Sequence, residues 1–221
     1  MQTRLSGWSS RTSGLNGQTP IQKRLFDLSV AATLLIAALP VLLVISIALK
    51  WDHRGPIFFK QVRTGHMGRP FNIYKFCTLC GSMSPDDTPL PPTKFRNFLR
   101  RWGLDELPQL FNIIRGDMSL VGPRPHTPAD NQNFASHFTL YDARHQVQPG
   151  ITGLAQIKGW RGPIRSSSDL KSRLDWDLLY ISQQSLTSDI VILIYTVSRP
   201  WCWVNGPKRT STETLSSCRA R

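Results

Sequence analysis

The longest hydrophobic stretch of the chain lies near its N-terminus. From Leu28 to Leu49 the sequence carries no charged residue, and about twenty apolar residues are enough for a helix to span a bilayer. Pro40 interrupts the stretch near its middle, where it removes a backbone donor. Each half holds about 9–12 residues, so at ~1.5 Å per residue it reaches about the middle of a ~30 Å hydrocarbon core.

Positive charge flanks this stretch at both ends. Lys23 and Arg24 precede it, and Lys50 and Arg54 follow it. The cytoplasmic preference of basic residues therefore gives either no orientation or both ends on the cytoplasmic side. The pattern predicts a re-entrant membrane helix over residues 21–50, broken at the proline. A kinked helix that crosses the membrane once is the alternative, because proline is tolerated in transmembrane helices.

Two shorter stretches have the spacing of amphipathic helices. Apolar residues at positions 95, 98, 99 and 102 share one helical face, opposite four basic residues. This pattern fits an interfacial helix on an anionic membrane surface, and a core-packing helix with a solvated basic face is the alternative. The second helix is predicted from Leu170, Leu174, Leu178 and Ile181.

The remaining patterns predict short elements. Residues 56–59 and 71–74 are typical of strands, separated by the turn over residues 63–70. The apolar run over residues 190–197 is too short to span a membrane and predicts a buried core element. Glycines in segments 149–153 and 159–162 allow a close approach of backbone to a ligand, with turn-rich loops as the alternative.

These patterns divide the chain into four segments and predict an α+β fold, compact and mostly helical with short strands. Residues 1–20 are rich in Ser, Gly, Thr and Gln, which indicates a disordered tail. The re-entrant helix over residues 21–50 follows, then the compact domain over residues 51–204. Residues 205–221 form a basic C-terminal tail.

The charge balance narrows the class of partner. The 27 Lys and Arg residues against 14 Asp and Glu residues give a formal net charge of +13 and a sequence pI of about 10.3. Such a balance predicts nucleic acid, anionic lipid or phosphorylated substrates as partners. No zinc-finger spacing and no RNA-binding aromatic signature is present, so composition does not choose among them.

The four cysteines are Cys77, Cys80, Cys202 and Cys218. They are too few for a disulfide-stapled fold. The Cys77-x-x-Cys80 pair lacks the second half of a zinc site, and a metal site or a redox pair is the alternative to reduced structural thiols. We predict reduced structural thiols.

Candidate chemistry concentrates in the segment 104–125. Asp105 and Glu106 are adjacent carboxylates, and a carboxylate can act as a nucleophile or bind a metal. A helix that begins after Gly103 would place both acids in its first turn, and favourable first-turn charge is the other explanation for them. Arg124 lies between two prolines, and a rigidly held guanidinium is a good phosphate receptor. The combination predicts phosphoryl-transfer chemistry.

The motifs, in this order, resemble the small monotopic phosphoglycosyl transferases of bacteria, the bacterial sugar transferase family. The resemblance extends from about residue 23 to residue 197. The motifs are Lys23-Arg24-x-Phe26-Asp27, Gly55-Pro56-x-Phe58, Gln61-x-Arg63-x-Gly65, Tyr74-Lys75-Phe76, Leu104-Asp105-Glu106-Leu107-Pro108-Gln109-Leu110, the segment from Gly116 to Pro125, and Pro149-Gly150-Ile151-Thr152-Gly153. His126 and the segment Gly159-Trp160-Arg161-Gly162 most resemble the catalytic domains of undecaprenyl-phosphate glucose phosphotransferases.

The resemblance implies the reaction and its residues. Enzymes of this family transfer a sugar 1-phosphate from a UDP-sugar to a polyprenyl phosphate, release UMP and use Mg²⁺. Asp105 would be the nucleophile that forms a covalent phospho-sugar intermediate, and Glu106 would assist it. Both carboxylates are candidates for holding the magnesium. The candidates for binding the substrate phosphates are Lys75, Arg100, Arg124 and Arg63, and those for binding the rest of the substrate are Gln156 and Arg161.

The resemblance also implies partners and a location. The expected substrates are UDP-glucose or UDP-galactose and undecaprenyl phosphate, in the initiation of exopolysaccharide, capsule or O-antigen assembly. We further expect contact with anionic inner-membrane lipids, a homodimer, and no nucleic acid. The expected location is the bacterial inner membrane, with the catalytic domain on the cytoplasmic face and the re-entrant and amphipathic interfacial helices as anchors.

The chain departs from the family pattern in three places. The family usually has a basic residue after Tyr74-Lys75-Phe76, where this chain has Cys77. The segment before Lys94 is shortened and rich in proline, and Gly103 replaces the usual serine. These departures motivate an alternative, a catalytically weak membrane scaffold of a glycan assembly complex. A nucleic-acid-binding membrane protein is a third hypothesis, motivated only by the net charge.

Overall fold

The computed structural model describes residues 21–52, 55–79 and 93–198. The α-helices are α1 (Ile21–Asp52), α2 (Lys94–Trp102), α3 (Leu110–Arg115), α4 (Pro128–His137), α5 (Leu154–Ile157), α6 (Ser167–Ser182) and α7 (Leu186–Ser198). The strands are β1 (Phe58–Thr64), β2 (Pro70–Phe76), β3 (Ser119–Val121) and β4 (Gly150–Thr152), and 3₁₀ turns cover His66–Gly68, Leu104–Gln109 and Tyr141–Gln146. The predicted tails over residues 1–20 and 205–221 lie outside the described residues, as does nearly all of the proline-rich segment before Lys94.

Short strands and many helices confirm the predicted α+β class. β1 and β2 form an antiparallel hairpin in which Phe58 lies opposite Phe76. The second predicted strand, over residues 71–74, is confirmed with longer bounds. The first, predicted over residues 56–59, begins later and extends to Thr64, into the predicted turn. β3 and β4 form a parallel pair in which Val121 lies opposite Thr152. The two main chains lie very close together just after β3 and at the start of β4. A side chain at Gly122 or Gly150 would therefore collide with backbone atoms of the neighbouring segment, and glycine avoids this collision.

α1 packs against the compact domain along its whole length. Its buried residues recur at helical spacing and are Lys23, Asp27, Ala31, Leu42, Ile45 and Leu49. At the N-terminal end, Lys23 contacts Asp189 of α7, and at the other end Asp52 pairs with Arg96 of α2 at 2.8 Å. Pro40 lies inside α1, and the helix continues on both sides of it. The break predicted at Pro40 therefore does not interrupt the helix.

The opposite face of α1 is apolar and exposed. Over residues 34–47 its exposed large side chains are Leu34, Ile36, Leu39, Val41, Leu43, Val44 and Ile47. Among the described residues, α1 is the one helix that is long and apolar enough to cross a membrane by length and composition. This helix therefore presents one stripe to the protein and a wide apolar surface outward.

α2 buries one apolar residue of its predicted face in the core and exposes two others. Leu99 is buried and packs in a core cluster with Leu49 and Phe76, whereas Phe98 and Trp102 are exposed. The helix begins at an N-cap, where the Thr93 side chain accepts a hydrogen bond from the Arg96 amide. The core-packing interpretation thus holds for Leu99, whereas the interfacial interpretation, which concerns Phe98 and Trp102, stays a prediction.

α6 and α7 give opposite outcomes. Leu170, Leu174, Leu178 and Ile181 are all buried, which confirms the predicted amphipathic helix. The prediction of a buried core element over residues 190–197 is wrong. Ile192 is buried, but the exposed residues of α7 include Ile190, Val191, Ile194 and Val197. A short apolar run has the same sequence pattern whether it faces a core or a membrane, so the pattern did not distinguish them.

Cys77 is buried at the end of β2 and is disulfide-bonded. The prediction of reduced thiols is therefore wrong for Cys77. Too few cysteines for a disulfide framework do not exclude a single bond.

Candidate active site

The adjacent carboxylates lie on a tight turn that a glycine makes possible. Gly103 has φ 69° and ψ 14°, ends α2 and precedes the 3₁₀ turn Leu104–Gln109. Glycine adopts this left-handed conformation without steric cost, whereas a serine would be strained there. The departure from the family serine thus has a local explanation, and Asp105 and Glu106 occupy the first turn as predicted.

Glu106 is the centre of a cation cluster. Its Oε1 accepts from Lys75 Nζ at 2.9 Å and from Arg124 Nη2 at 2.6 Å. Its Oε2 accepts from Arg124 Nη1 at 3.3 Å and from Arg161 Nη2 at 3.4 Å. Burial acts to raise the pKa of the Glu106 carboxyl, but Arg124, Lys75 and Arg161 together hold that pKa well below its usual range. Glu106 is therefore a fixed anion that orients three cations.

Asp105 has different surroundings. Its described polar contact is one long hydrogen bond, which the Thr78 hydroxyl donates to Oδ2 at 3.5 Å. Burial, followed by the charge of Glu106, raises the pKa of the Asp105 carboxyl. At Asp105, burial and the charge of Glu106 therefore outweigh the favourable effect of a first-turn position on a carboxylate. Sequence reasoning missed Thr78, which lies where the chain leaves the family pattern.

The cluster around Glu106 holds more positive than negative charges. Lys75, Arg124 and Arg161 carry three positive charges, and Asp105 and Glu106 carry two negative charges when ionised. One positive charge is left in excess in a partly buried place, where electrostatic interactions are screened less than in water. The arrangement therefore favours an anionic ligand.

Residues 18–201 match the family model described as bacterial sugar transferase. The chain belongs to this family. It is 44% identical over 192 residues to a UDP-glucose:undecaprenyl-phosphate glucose-1-phosphate transferase of Klebsiella pneumoniae, covering 84% of this chain and 41% of the relative. It is also 44% identical over 189 residues to an undecaprenyl-phosphate glucose phosphotransferase of Komagataeibacter xylinus, covering 81% of this chain and 36% of the relative. The chain thus spans less than half the length of these two relatives.

A shorter relative of this sugar transferase is matched almost from end to end. It is an exopolysaccharide production protein of Rhizobium leguminosarum, 35% identical over 187 residues, which cover 80% of this chain and 94% of the relative. The family resemblance drawn from the motifs is thereby confirmed.

The sugar transferase site brings together most of the residues predicted for it. Arg63 lies against the proline-flanked turn, because its Nη1 approaches the Pro125 carbonyl oxygen at 3.5 Å while Nη2 donates to Gln61 at 2.5 Å. Burial, and then the charge of Arg124, lowers the pKa of Arg63. Lys75, Arg124 and Arg161 contact Glu106 directly, and their binding of substrate phosphate stays a prediction.

Arg100 and Gln156, which were also predicted for the site of this sugar transferase, make no described contact with its carboxylate pair. Arg100 is exposed on α2, and the ion pairs found at Glu106 in the described parts of the chain do not include it. Gln156 is buried, and its Nε2 donates to the Ile151 carbonyl oxygen at 2.9 Å. This bond ties α5 to β4, which is a structural contact.

The described residues of the site offer few ligands for a magnesium ion. In the described residues no group of three or more His, Cys, Asp or Glu side chains could hold a metal. Mg²⁺, however, is commonly bound by one or two carboxylates together with substrate phosphates. The carboxylate oxygens of Asp105 are available as ligands for such an ion. Both oxygens of Glu106, in contrast, already accept hydrogen bonds from cations.

Proposed function

We propose that this sugar transferase moves a sugar 1-phosphate from a UDP-sugar to undecaprenyl phosphate and releases UMP. The observation that carries the proposal is the position of Asp105. This carboxylate lies beside a positive cluster that a second carboxylate, Glu106, holds in place. The names of the relatives at 44% identity supply the substrate classes. Exopolysaccharide synthesis is the proposed context, because the Rhizobium relative is named for it.

The first step is attack by Asp105 on the phosphorus next to the sugar. A carboxylate oxygen forms a bond to that phosphorus, and the bond to the bridging oxygen of the diphosphate breaks. The bridging oxygen takes the electron pair and leaves as part of UMP. Asp105 needs no activating base, because the carboxylate is already a nucleophile when ionised.

The second step regenerates the free carboxylate of Asp105. An oxygen of undecaprenyl phosphate attacks the same phosphorus, and the bond between phosphorus and Asp105 breaks with the electron pair going to the carboxylate. The product is a lipid diphosphate that carries the sugar. Both steps bring anions together, so neighbouring cations are needed to stabilise the transition state.

The cation cluster meets this need. Lys75, Arg124 and Arg161 are oriented by Glu106 before substrate arrives, and preorganised charges stabilise developing charge without reorganisation. Mg²⁺, when bound, supplies further charge neutralisation at the diphosphate. Asp105, together with the substrate phosphates, would hold this ion, and Glu106 would take part only by giving up one of its cations.

The fold supports a location at a membrane surface. One stripe of α1 contacts the compact domain from Lys23 to Asp52, residues that a straight helix would separate by about 44 Å. A helix crossing the bilayer would carry one end away from the domain, so we propose that both ends stay on the domain's side. The exposed apolar face over residues 34–47 would enter the lipid. The basic residues in the sequence at both ends favour the cytoplasmic face of the inner membrane. Lys50 is exposed and is available for contact with anionic lipids.

Glucose is the sugar we propose first, because both relatives at 44% identity are named for glucose. The described contacts of Glu106 are all to cations, and they do not by themselves select one sugar. A screen of radiolabelled UDP-sugars with the purified protein tests this point. Strong transfer from UDP-galactose and none from UDP-glucose would contradict it.

Release of UMP is the direct test of the function. Purified protein in lipid–detergent micelles should release many equivalents of UMP from UDP-glucose when undecaprenyl phosphate and Mg²⁺ are both present. Without undecaprenyl phosphate, release should stop at about one equivalent per enzyme, because the covalent intermediate is not discharged. A scaffold without activity would release none, and that result would favour the alternative. Binding to DNA that falls steeply with salt, without UMP release, would favour the nucleic-acid hypothesis.

A further inference from the structure

A group of buried polar side chains lies behind the arginines of the site and has no role in the two chemical steps. Its members are His126, Tyr141, Arg144, Arg173 and Asp177, each at most 6% exposed. We call this group the arginine hub. Buried polar groups of this kind are costly unless they are partnered, so each contact of the hub indicates what the group holds.

Arg144 connects the hub to the segment of Arg124. Its Nη2 donates to Asp177 Oδ2 and to the Arg124 carbonyl oxygen, both at 2.8 Å. Its Nη1 lies 2.7 Å from His126 Nδ1 and donates to the Tyr141 hydroxyl at 3.0 Å. One buried guanidinium thus fixes the main chain of the residue that binds Glu106 in a bidentate manner.

Arg173 connects the hub to the segment of Arg161. Its Nη2 donates to the carbonyl oxygen of Gly162, the residue that follows Arg161. Its Nη1 lies 3.4 Å from His126 Nε2. The Arg161 loop is rich in glycine, so without such a bond its backbone would have many conformations.

His126 connects the hub to the segment of Arg63. Its carbonyl oxygen accepts from the amide of Thr64 at 3.0 Å. Burial, followed by the charges of Arg144 and Arg173, keeps the pKa of the His126 ring well below its usual value. The ring is therefore neutral, and the hub touches the main chain at or beside three cation-bearing residues.

The hub carries an excess positive charge. Asp177 pairs with Arg144 at 2.8 Å, while the ion pairs within the described residues include none for Arg173. The Nε of Arg173 is buried without a hydrogen-bond partner. Burial, and then the charge of Arg124, lowers the pKa of Arg173 to about 10, so Arg173 stays charged near pH 7. A buried cation of this kind is unfavourable until an anion balances it.

We propose that the arginine hub positions the phosphate-binding arginines and that the charge of Arg173 is balanced by the diphosphate of the bound UDP-sugar. The inference rests on the proposed function, because it takes the same diphosphate as ligand. Arg173 is a positioning residue in this account. It acts through the Arg161 loop and through its charge, without touching the reacting atoms.

The test measures the affinity for UDP, in the presence of Mg²⁺, by calorimetry. Arg173→Gln keeps a donor for the Gly162 carbonyl but removes the charge, and we expect UDP to bind roughly tenfold more weakly or worse. Arg173→Lys keeps the charge and should recover most of that affinity. The matched control is Lys171→Gln, an exposed basic residue on the same helix, which should leave UDP binding unchanged. For UDP-glucose turnover, Arg173→Gln should raise KM more than it lowers kcat.

A purely structural role would give a different result. UDP affinity of Arg173→Gln within twofold of the Lys171→Gln value would overturn the proposal, as would a Lys variant no better than the Gln variant. If Arg173→Gln does not fold, Arg173→Met is the neutral variant, with the same expected loss. Wild-type protein that binds UDP but releases no UMP would remove the proposed function alone and leave the hub to be judged by binding.

Discussion

Asp105 and Glu106 are neighbours in the chain but differ in electrostatic role. Glu106 is buried and contacts Lys75, Arg124 and Arg161, so its pKa is held low and it stays ionised. Asp105 lacks such an ion pair in the described parts of the chain, and burial raises its pKa. One carboxylate thus organises the cations, while the other keeps its oxygens available for chemistry. The pattern of one fixed and one perturbed acid is typical of catalytic sites.

The raised pKa of Asp105 predicts an acidic limb in the pH profile. In the proposed mechanism Asp105 must be ionised to attack, so activity is expected above that pKa and is lost as pH falls through it. Glu106→Gln removes the negative neighbour and frees three cations, so the acidic limb of kcat/KM should move to lower pH. At neutral pH the same variant should lose roughly 100-fold or more in kcat, because the cations lose their orientation.

Steady-state kinetics across the pH range check this expectation. Asp142→Asn is the control, because Asp142 is exposed and distant in sequence from the carboxylate pair. An acidic limb that stays in place, or moves to higher pH, in Glu106→Gln would contradict the electrostatic account of the pair.

At the scale of elements, a buried charge network fixes α1 to the domain. Lys23 Nζ contacts Asp189 Oδ2 at 2.5 Å and lies 3.8 Å from Asp27 Oδ2. Asp27 in turn accepts from the Ser119 hydroxyl at 2.7 Å, and Tyr180 donates to Asp189 at 2.7 Å. The network joins the membrane helix to β3, α6 and α7, just before the turn that carries Arg124.

Removal of Lys23 should therefore destabilise the fold strongly. In Lys23→Met two buried carboxylates lose their cation, which typically costs about 3–5 kcal/mol in the free energy of unfolding. Lys50→Met is the matched control, because Lys50 lies exposed near the other end of α1. Chemical unfolding in detergent measures both variants, and equal stability of the two would show that the network does not anchor the helix.

At the scale of the whole molecule, α1 decides where the site lies relative to the lipid. Both ends of this helix contact the domain, so cysteines introduced at Gln22 and Trp51 should label from the same side of sealed vesicles. Both residues are exposed. The native cysteines are replaced by serine in this experiment, and UMP release verifies that the background is active. Labelling from opposite sides would establish a spanning helix and contradict the proposed topology.

Sequence patterns predicted the parts of this fold that depend on local spacing. The helical face of α6 and the apolar stretch of α1 are regular enough to be identified directly. The different roles of Asp105 and Glu106 could not be predicted, because Lys75 and Arg161 reach Glu106 from 31 and 55 residues away in sequence. The arginine hub was missed for the same reason, since isolated Arg residues have no periodic signal. The burial of α7 was misjudged because a short apolar run has the same sequence pattern whether its side chains are buried or exposed.

We expect the Asp105 carboxylate to carry the phospho-sugar between the two substrates. Wild-type protein incubated with Mg²⁺ and UDP-glucose radiolabelled in the phosphate next to the sugar, without lipid phosphate, should become covalently labelled. The label should leave on addition of undecaprenyl phosphate. Asp105→Asn should take up no label, while still binding UDP. Labelling of Asp105→Asn at the wild-type level would contradict the account.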